Sequence, residues 1–375
     1  MKANYRKLSE IVELIDERNT DGKVQNLIGV SIDKCFIKSV ANTIGTDLSK
    51  YSVIHKNDFA CSLMQVSRDG KIPIACLKEY DEAIMSPAYY IFRIKNTFEV
   101  LPDYLAMWFM RTEFDREASY VAVGGVRGSM PWEVFCDMKL AVPSITEQQK
   151  IINNYNTITR RIDILQKINE KLEKTAQCLF ENIFKHELQK EEISFTDVID
   201  LLGGGTPCTT ENAYWNGNIS FFAPADIDKS IYCFRTDKTL TEEGLNNCSS
   251  KLYPENTTFV TCRGTVGKLA LAGKPMAMNQ SCYALKDKKG QYPFFTYSFS
   301  KFAVSKLKNK ASGAVFSALV TRDFEMEKVF KPNLEKMTEY ETKASSIFEN
   351  ISSNEKEIFK LQELKQLVIS QILKG

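Results

Sequence analysis

Residues 146–186, TEQQKIINNYNTITRRIDILQKINEKLEKTAQCLFENIFKH, contain neither proline nor glycine. Ile151, Ile158, Leu165, Leu172 and Leu179 fall seven apart, and Tyr155, Ile162, Asn169, Ala176 and Ile183 fill a second row of the same period. Apolar residues in two such rows over four heptads predict a long helix with a coiled-coil seam. Thr146 and Glu147, just after Pro143-Ser144, give it a start with acid near the helix N-terminus. The C-terminal stretch repeats the pattern: Ile347, Asn354, Leu361 and Val368 in one row, Ala344, Ile351, Ile358, Lys365 and Ile372 in the other. An exposed apolar stripe makes neither helix stable alone in water, and the simplest partner for each is the other. Asn169 and Asn354 then fall in the seam, where they either fix the register or lie off-centre in water. A helix of some 38 residues is about 57 Å long, more than one ~34 Å turn of DNA. An antiparallel pair of that length is expected to act as a spacer relating two domains by an approximate two-fold. The competing expectation is that the helices dimerise the protein.

Each helix follows a strand-rich stretch, so the chain states one pattern twice with a period near 190 residues. That is too long for a solenoid, whose units run roughly 20–50 residues, and it reads as duplication of a domain plus its helix. The expected segments are 1–145, 146–189 (first long helix), 190–334 and 335–375 (second long helix). The expected fold class is α+β, with two mixed, strand-rich domains on an antiparallel coiled coil and a pseudo-two-fold internal repeat. Residues 52–54, 59–64 and 88–94 read as strands and are matched here with 257–262 and 268–272; residues 104–110 match 294–299 as helix. Gly124-Gly125 and Gly313 precede comparable stretches that lead to Pro143 and Pro332.

Composition narrows the function. Hydrophobic residues make up 43% and charged residues 26%, as in ordinary globular proteins. No apolar run reaches the ~18–20 residues of a membrane helix. The opening residues, through Glu13 and Asp16, are too acidic for a signal-peptide core, so a cytoplasmic chain without membrane contact is expected. The ten cysteines include no Cys-x-x-Cys, and His55 and His186 are the only histidines, which argues against a structural metal site. Net charge is +2, with 18 basic and 19 acidic side chains over 1–145 against 18 and 15 over 190–334. A nucleic-acid binder with this balance must concentrate its positive charge locally. Lys286-Asp287-Lys288-Lys289 and Lys301, Lys306, Lys308 and Lys310 are such concentrations, the second group reading equally as a solvated helix face.

Gly203-Gly204-Gly205-Thr206-Pro207 lacks the lysine of a phosphate loop, and Gly264-Thr265-Val266-Gly267-Lys268 is two residues too short for one. Both read as turns that let backbone approach a ligand. Arg263, Thr265 and Lys268 on such a turn suit phosphate or a base edge. Asn279 and Gln280 carry the amides suited to adenine, or else cap local backbone. Tyr214-Trp215 reads as a core anchor ahead of a stacking platform. In the first half Arg68 and Lys71 occupy the corresponding turn, and Arg127 and Ser129 lie in a Gly-rich stretch. With Thr206 these are the candidate DNA contacts. Asp226 and Asp228 look superficially like a nuclease metal pair but lack a supporting carboxylate, and no catalytic residue is assigned.

The order Gly203–Pro207, Tyr214-Trp215-Asn216-Gly217-Asn218-Ile219, Phe222-Ala223-Pro224-Ala225-Asp226-Ile227, Arg263–Lys268 and Met278-Asn279-Gln280-Ser281 resembles the target-recognition domain of type I restriction–modification specificity subunits. Met85–Phe92 and Gly125–Met130 form a variant in the first half. Pro143-Ser144-Ile145-Thr146-Glu147-Gln148-Gln149 is similar to that family's domain-to-helix junction; Pro332-Asn333-Leu334-Glu335-Lys336-Met337 lacks the Glu-Gln pair, which puts that junction's contacts in question. The resemblance implies a non-catalytic chain with target-recognition domains at 1–145 and 190–334. It implies binding to a bipartite site on double-stranded DNA, and because the two halves differ at most of the candidate contact positions, an asymmetric site is expected. It further implies two partner adenine methyltransferase subunits using S-adenosylmethionine, optional restriction subunits using ATP and magnesium, and no cofactor on this chain. The rival reading is a non-catalytic scaffold, two adaptor domains on a coiled-coil strut without sequence-specific DNA binding.

Overall fold

The computed structural model describes residues 4–39, 46–64, 66–122, 128–189, 192–310 and 318–371. The chain forms two compact units: unit 1 is Met1–Arg161 with Leu361–Gly375, and unit 2 is Ile162–Lys360. Each long helix therefore contributes to both units.

Unit 2 is built around a five-stranded sheet in the order Ile199–Gly203, Cys282–Asp287, Thr258–Thr261, Leu269–Ala272, Tyr232–Cys233. The first three pairings are antiparallel and the last is parallel. Ser194 and Asp197 form a reciprocal capping box that opens the short helix Phe195–Val198 ahead of the first strand. A smaller sheet places Trp215–Phe222 between Lys238–Leu240 and Met276–Met278. The helix Pro293–Lys310 begins on proline, whose missing N–H costs nothing in a first turn, and it buries Phe295, Phe299, Ala303 and Val304 in the unit core.

Unit 1 repeats this plan. The strand pair Tyr5–Lys7 and Lys139–Ala141 stands where Glu192–Ser194 and Lys328–Phe330 stand in unit 2. Its main sheet runs Val12–Leu14, Tyr90–Ile94, Phe59–Cys61, Ile74–Cys76, the unit 2 order less its last strand. Helix Pro102–Phe109 takes the place of Pro293–Lys310. One sequence match shifts: Tyr90–Ile94 occupies the place of Cys282–Asp287, while Leu269–Ala272 corresponds to Ile74–Cys76. Short buried strands share the same apolar character, so only their pairing tells them apart.

The long helices, Ile145–Ile183 and Leu334–Gln371, run antiparallel within each unit. In unit 2 the Lys336 ammonium donates to the Ile183 carbonyl at 2.9 Å, and the Tyr340 hydroxyl to that of Ala176 at 3.3 Å. Asn354 Nδ2 donates to Asn169 Oδ1 at 2.8 Å, so the two asparagines pair in the seam. In unit 1 the Lys365 ammonium lies 4.6 Å from the Tyr155 ring centroid, and Val368 packs on the cluster that holds Ile152.

Of the seam residues, Ile158, Ile162, Leu165, Ile351 and Ile358 are buried. Ile151, Leu172, Leu179, Ile347, Leu361 and Val368 are half-buried, and Ile372 lies outside the described residues. A helix of 3.6 residues per turn drifts ~20° per heptad against a strict repeat. Past Leu172 the second row stays buried at Ala176 and Ile183, while Phe180 and Phe184 take over from Leu172 and Leu179 beside it and join the globular core of unit 2. There Phe180 meets Phe184 at 4.9 Å between ring centroids, Phe184 meets Phe330 at 5.3 Å, and Phe294 stacks on Phe348 at 4.7 Å.

Two carboxylates of the second long helix are spent on backbone. Glu355 accepts from the Ile231 and Tyr232 N–H groups, both at 2.8 Å. Glu341 accepts from Phe294 and Phe295 at 3.2 and 2.9 Å. Burial outweighs these bonds and lifts each carboxyl from 4.5 to about 7. The folded state then holds these protons where the unfolded chain releases them. Their contribution to stability is full below about pH 4.5 and shrinks as pH rises through 7. The urea midpoint of Glu355→Gln should therefore fall less than that of the parent protein between pH 5 and 8. Parallel curves for the two proteins would show that Glu355 is ionised throughout.

Candidate nucleic-acid interface

In unit 2, strands Ile199–Gly203, Trp215–Phe222, Thr258–Thr261 and Met276–Met278 deliver their following turns to one rim. Glycine is required where two of these turns cross. A Cβ on Gly204 would stand 2.2 Å from the Asn279 carbonyl oxygen and 2.6 Å from that of Met278, and one on Gly205 would stand 2.4 Å from Ser249 Oγ. The bare backbone lets the Gly205 N–H reach the Met278 carbonyl at 3.2 Å. Thr206 is thereby set against the next turn, where its hydroxyl donates to Gln280 Oε1. Asn279 is half-buried, its N–H donating to the Phe222 carbonyl and its Oδ1 accepting from the Ser281 N–H, both at 2.9 Å. Asn279 thus caps local backbone, while Gln280 stays exposed.

The third turn, residues 262–268, is folded around Thr261. Its hydroxyl donates to the Thr265 carbonyl and accepts from the Lys268 N–H at 3.1 Å. Gly264 and Gly267 take the left-handed φ values of +76° and +71° that such a bend demands. Arg263, Thr265 and Lys268 are left exposed. A bond from the Cys262 N–H to the Ser281 carbonyl, 2.8 Å, ties this turn to the one carrying Gln280. Thr206, Arg263, Thr265 and Gln280 therefore share a rim of hydroxyls, an amide and a guanidinium, a donor and acceptor set suited to base edges and phosphates.

Trp215 is half-buried, edge-on to Phe221 at 5.6 Å, with its indole N–H donating to the Cys208 carbonyl at 3.1 Å; it anchors the smaller sheet. Asp226 accepts from the N–H groups of Ala223 at 2.7 Å and Asp237 at 2.9 Å, and Asp228 accepts from Ser230 at 2.6 Å. Both carboxylates shape loops. Among the described residues no group of three or more His, Cys, Asp or Glu is placed to hold a metal.

In unit 1, Arg68 lies on the short helix Val66–Asp69, with Nε 2.7 Å from Asp69 Oδ1 and most of its side chain exposed. Gly70, at φ +66°, turns the chain into the exposed Lys71. Residues 128–130 lie against this segment. The Met130 N–H donates to the Leu63 carbonyl at 2.8 Å, and a Cβ on Gly128 would stand 2.2 Å from Ser67 Oγ. Ser129 is thus brought beside Arg68, while Arg127, Gly124-Gly125 and Gly313 lie outside the described residues.

The lysine groups singled out by composition are mostly committed to ion pairs. Lys288 pairs with Asp200 at 2.5 Å, Lys301 with Glu173, Lys306 with Glu192 at 3.4 Å and Lys310 with Glu327 at 2.6 Å.

Sequence reading missed how the junctions work. Gln148, fully buried, accepts the Leu101 N–H at 2.9 Å and donates to the Glu99 and Pro143 carbonyls at 2.8 and 2.9 Å. It thereby holds the start of helix Pro102–Phe109. The second junction lacks this glutamine, and Glu341 performs the task for helix Pro293–Lys310 through the Phe294 and Phe295 N–H groups. Glu341 lies nine residues past Pro332 where Gln148 lies five past Pro143. The four-residue shift is about one helical turn, so the same face is presented.

The chain is thus a duplicated sheet-and-helix unit, each copy completed by segments of both long helices. Residues 188–367 match the family described as type I restriction modification DNA specificity domain. The MjaIX type I restriction enzyme specificity subunit of Methanocaldococcus jannaschii is 27% identical over 187 residues, 48% of this chain and 41% of that protein. In that match the chain spans about two fifths of the relative's length. A putative type I restriction enzyme specificity subunit, MjaX, from the same organism aligns with 99% of this chain and 92% of its own length at 20% identity. The crystal structure of the type I restriction-modification S subunit from M. genitalium shares the fold, with a TM-score of 0.57 at 12% identity over 99% of this chain and 96% of that one. Residues 188–367 thus carry the type I restriction modification DNA specificity domain, and the chain as a whole is similar to type I specificity subunits in sequence order and fold.

Gly204→Ala tests the rim. A methyl group 2.2 Å from a carbonyl oxygen must push the Met278–Gln280 turn away. The expected cost is about 1–3 kcal/mol in urea unfolding. An unchanged midpoint would mean that the two turns do not meet as described.

Proposed function

We propose that this chain is the DNA-reading subunit of a type I restriction–modification assembly, unit 1 reading one part of a two-part site and unit 2 the other. One observation supports this most: the two units share sheet order, yet they carry different side chains on equivalent turns. Arg68 and Lys71 stand where Arg263, Thr265 and Lys268 stand in the second copy. Unlike readers on a common frame suit an asymmetric target, because base edges are distinguished by the donors and acceptors offered to them. In this reading the chain itself performs no catalysis. It directs two adenine methyltransferase subunits, which carry S-adenosylmethionine, and restriction subunits using ATP and magnesium where these are present. The long helices set the number of base pairs between the two parts and offer their exposed faces to the methyltransferases.

The test is to remove one heptad from each long helix, N-terminal to Asn169 and C-terminal to Asn354, so that the asparagine pair and the seam are kept. Seven residues remove about 10 Å of helix. At ~3.4 Å per base pair, the methylated site should lose up to about three spacer base pairs while its two specific parts stay the same. A correctly folded variant that methylates the original spacing would rule out the helices as the measure. A scaffold without DNA recognition predicts no steep salt dependence of duplex binding in the first place.

A further inference from the structure

Within unit 2, a cleft of about 320 Å³ opens between the Gly267-Lys268 end of the third turn, residues 227–231 and helix Pro293–Lys310. Four lysines line it, Lys229, Lys268, Lys301 and Lys308, against two carboxylates, Glu173 and Asp228. The lining is net positive, with three lysines left against Asp228 once Lys301 and Glu173 pair. Glu173 is neutralised by Lys301 and accepts from the Tyr297 hydroxyl, while Asp228 accepts the Ser230 N–H. Lys229, Lys268 and Lys308 make no ion pair among the described residues. Lys308 packs directly on this turn: a Cβ on Gly267, which holds a left-handed φ of +71°, would stand 2.5 Å from Lys308 Cε and 3.3 Å from its Nζ. Burial, and then the like charge of Lys268, pulls the Lys308 ammonium below its ordinary value. Two neighbouring lysines that make no direct ion pair are suited to accept a divalent or diester anion.

We propose that Lys229, Lys268 and Lys308 form a phosphate-binding cleft that clamps the DNA backbone beside the reading rim of unit 2. The proposal rests on the functional reading above and adds a division of labour. Thr206, Arg263 and Gln280 face the bases, and the cleft supplies affinity that is blind to sequence. Among the described residues, unit 1 shows no matching cation pair. Lys71 holds the place of Lys268, but its basic neighbour Lys34 is buried and spends its ammonium on Asp115 Oδ1, 2.7 Å away, and on the Phe109 carbonyl. The two halves of the site should therefore differ in salt sensitivity.

The experiment uses the full chain with its methyltransferase partner, titrated with duplexes carrying its mapped site or a scrambled sequence at several salt concentrations. A variant carrying Lys229→Gln, Lys268→Gln and Lys308→Gln should lower the log–log salt slope by about 0.9, as for one lost phosphate contact. Affinity for the two duplexes should fall by the same factor, with the unfolding midpoint retained. Lys308→Arg alone should keep the parent slope. If the parent binds DNA steeply and the triple variant keeps its slope, the cleft is not a backbone site. If the parent binds no DNA, the functional reading falls, and inorganic pyrophosphate decides the cleft. Binding that the triple variant loses would assign the cleft to a free phosphate compound, and no binding by the parent would end the proposal as well.

Discussion

Burial of the far ends of two long helices in the core of unit 2 is the contact on which that unit depends. Phe180 and Phe184 from one helix and Tyr340 and Phe348 from the other are nearly inaccessible, and they fill the space between Phe295, Phe299 and Phe330. These aromatics come from three distant parts of the chain, so the sheet and its helices are stable only together. The same logic holds in unit 1, where Ile152 and Val368 enter the cluster of Phe59, Phe92, Phe109 and Phe135. Each unit thus borrows from both long helices, and the Asn169–Asn354 bond disfavours any slip between them, because a shifted register would bury an unpaired amide in an apolar seam.

Much of this was legible in the chain. The heptad rows located both helices to within a few residues, and the order of glycine turns and strands exposed the duplication. The limits had physical causes. A strict seven-residue row cannot follow a 3.6-residue helix, so Leu172 and Leu179 are only half-buried while Phe180 and Phe184 enter the globular core. Strands three to six residues long carry too little pattern to be matched across the repeat, which is why Tyr90–Ile94 changed partners. Gln148 and Glu341 do the same work from positions one helical turn apart, and a residue-by-residue comparison of the two junctions passes over that.

The candidate interface shows a similar division. The glycines at 203–205, 264 and 267 were read as close backbone approaches, and the structure gives Gly204, Gly205, Gly264 and Gly267 a neighbour that a side chain would strike or a left-handed φ that it would strain, while Gly203 has open space around it. Asn279 was offered as a base reader but has its oxygen engaged by Ser281 N–H, whereas Thr206 and Gln280 meet across the crossing turns. Lys308 could not be separated by sequence from Lys301, Lys306 and Lys310, because the carboxylates that pair with those three come from distant parts of the chain, and Lys308 instead packs on Gly267, forty-one residues earlier. Fold and rim are held by backbone bonds and aromatic packing, which leaves the exposed turn residues able to differ between the two copies. That freedom is what two separate readers on one frame require.

The central claim, that two unlike units read two unlike sequences, is tested most directly by mapping N6-methyladenine across host DNA with this gene intact and deleted. The account predicts one methylated motif of two different parts separated by a fixed number of unspecified bases, present with the gene and lost without it. A methylation pattern indifferent to the gene, or a gene-dependent motif made of two identical parts, would contradict it.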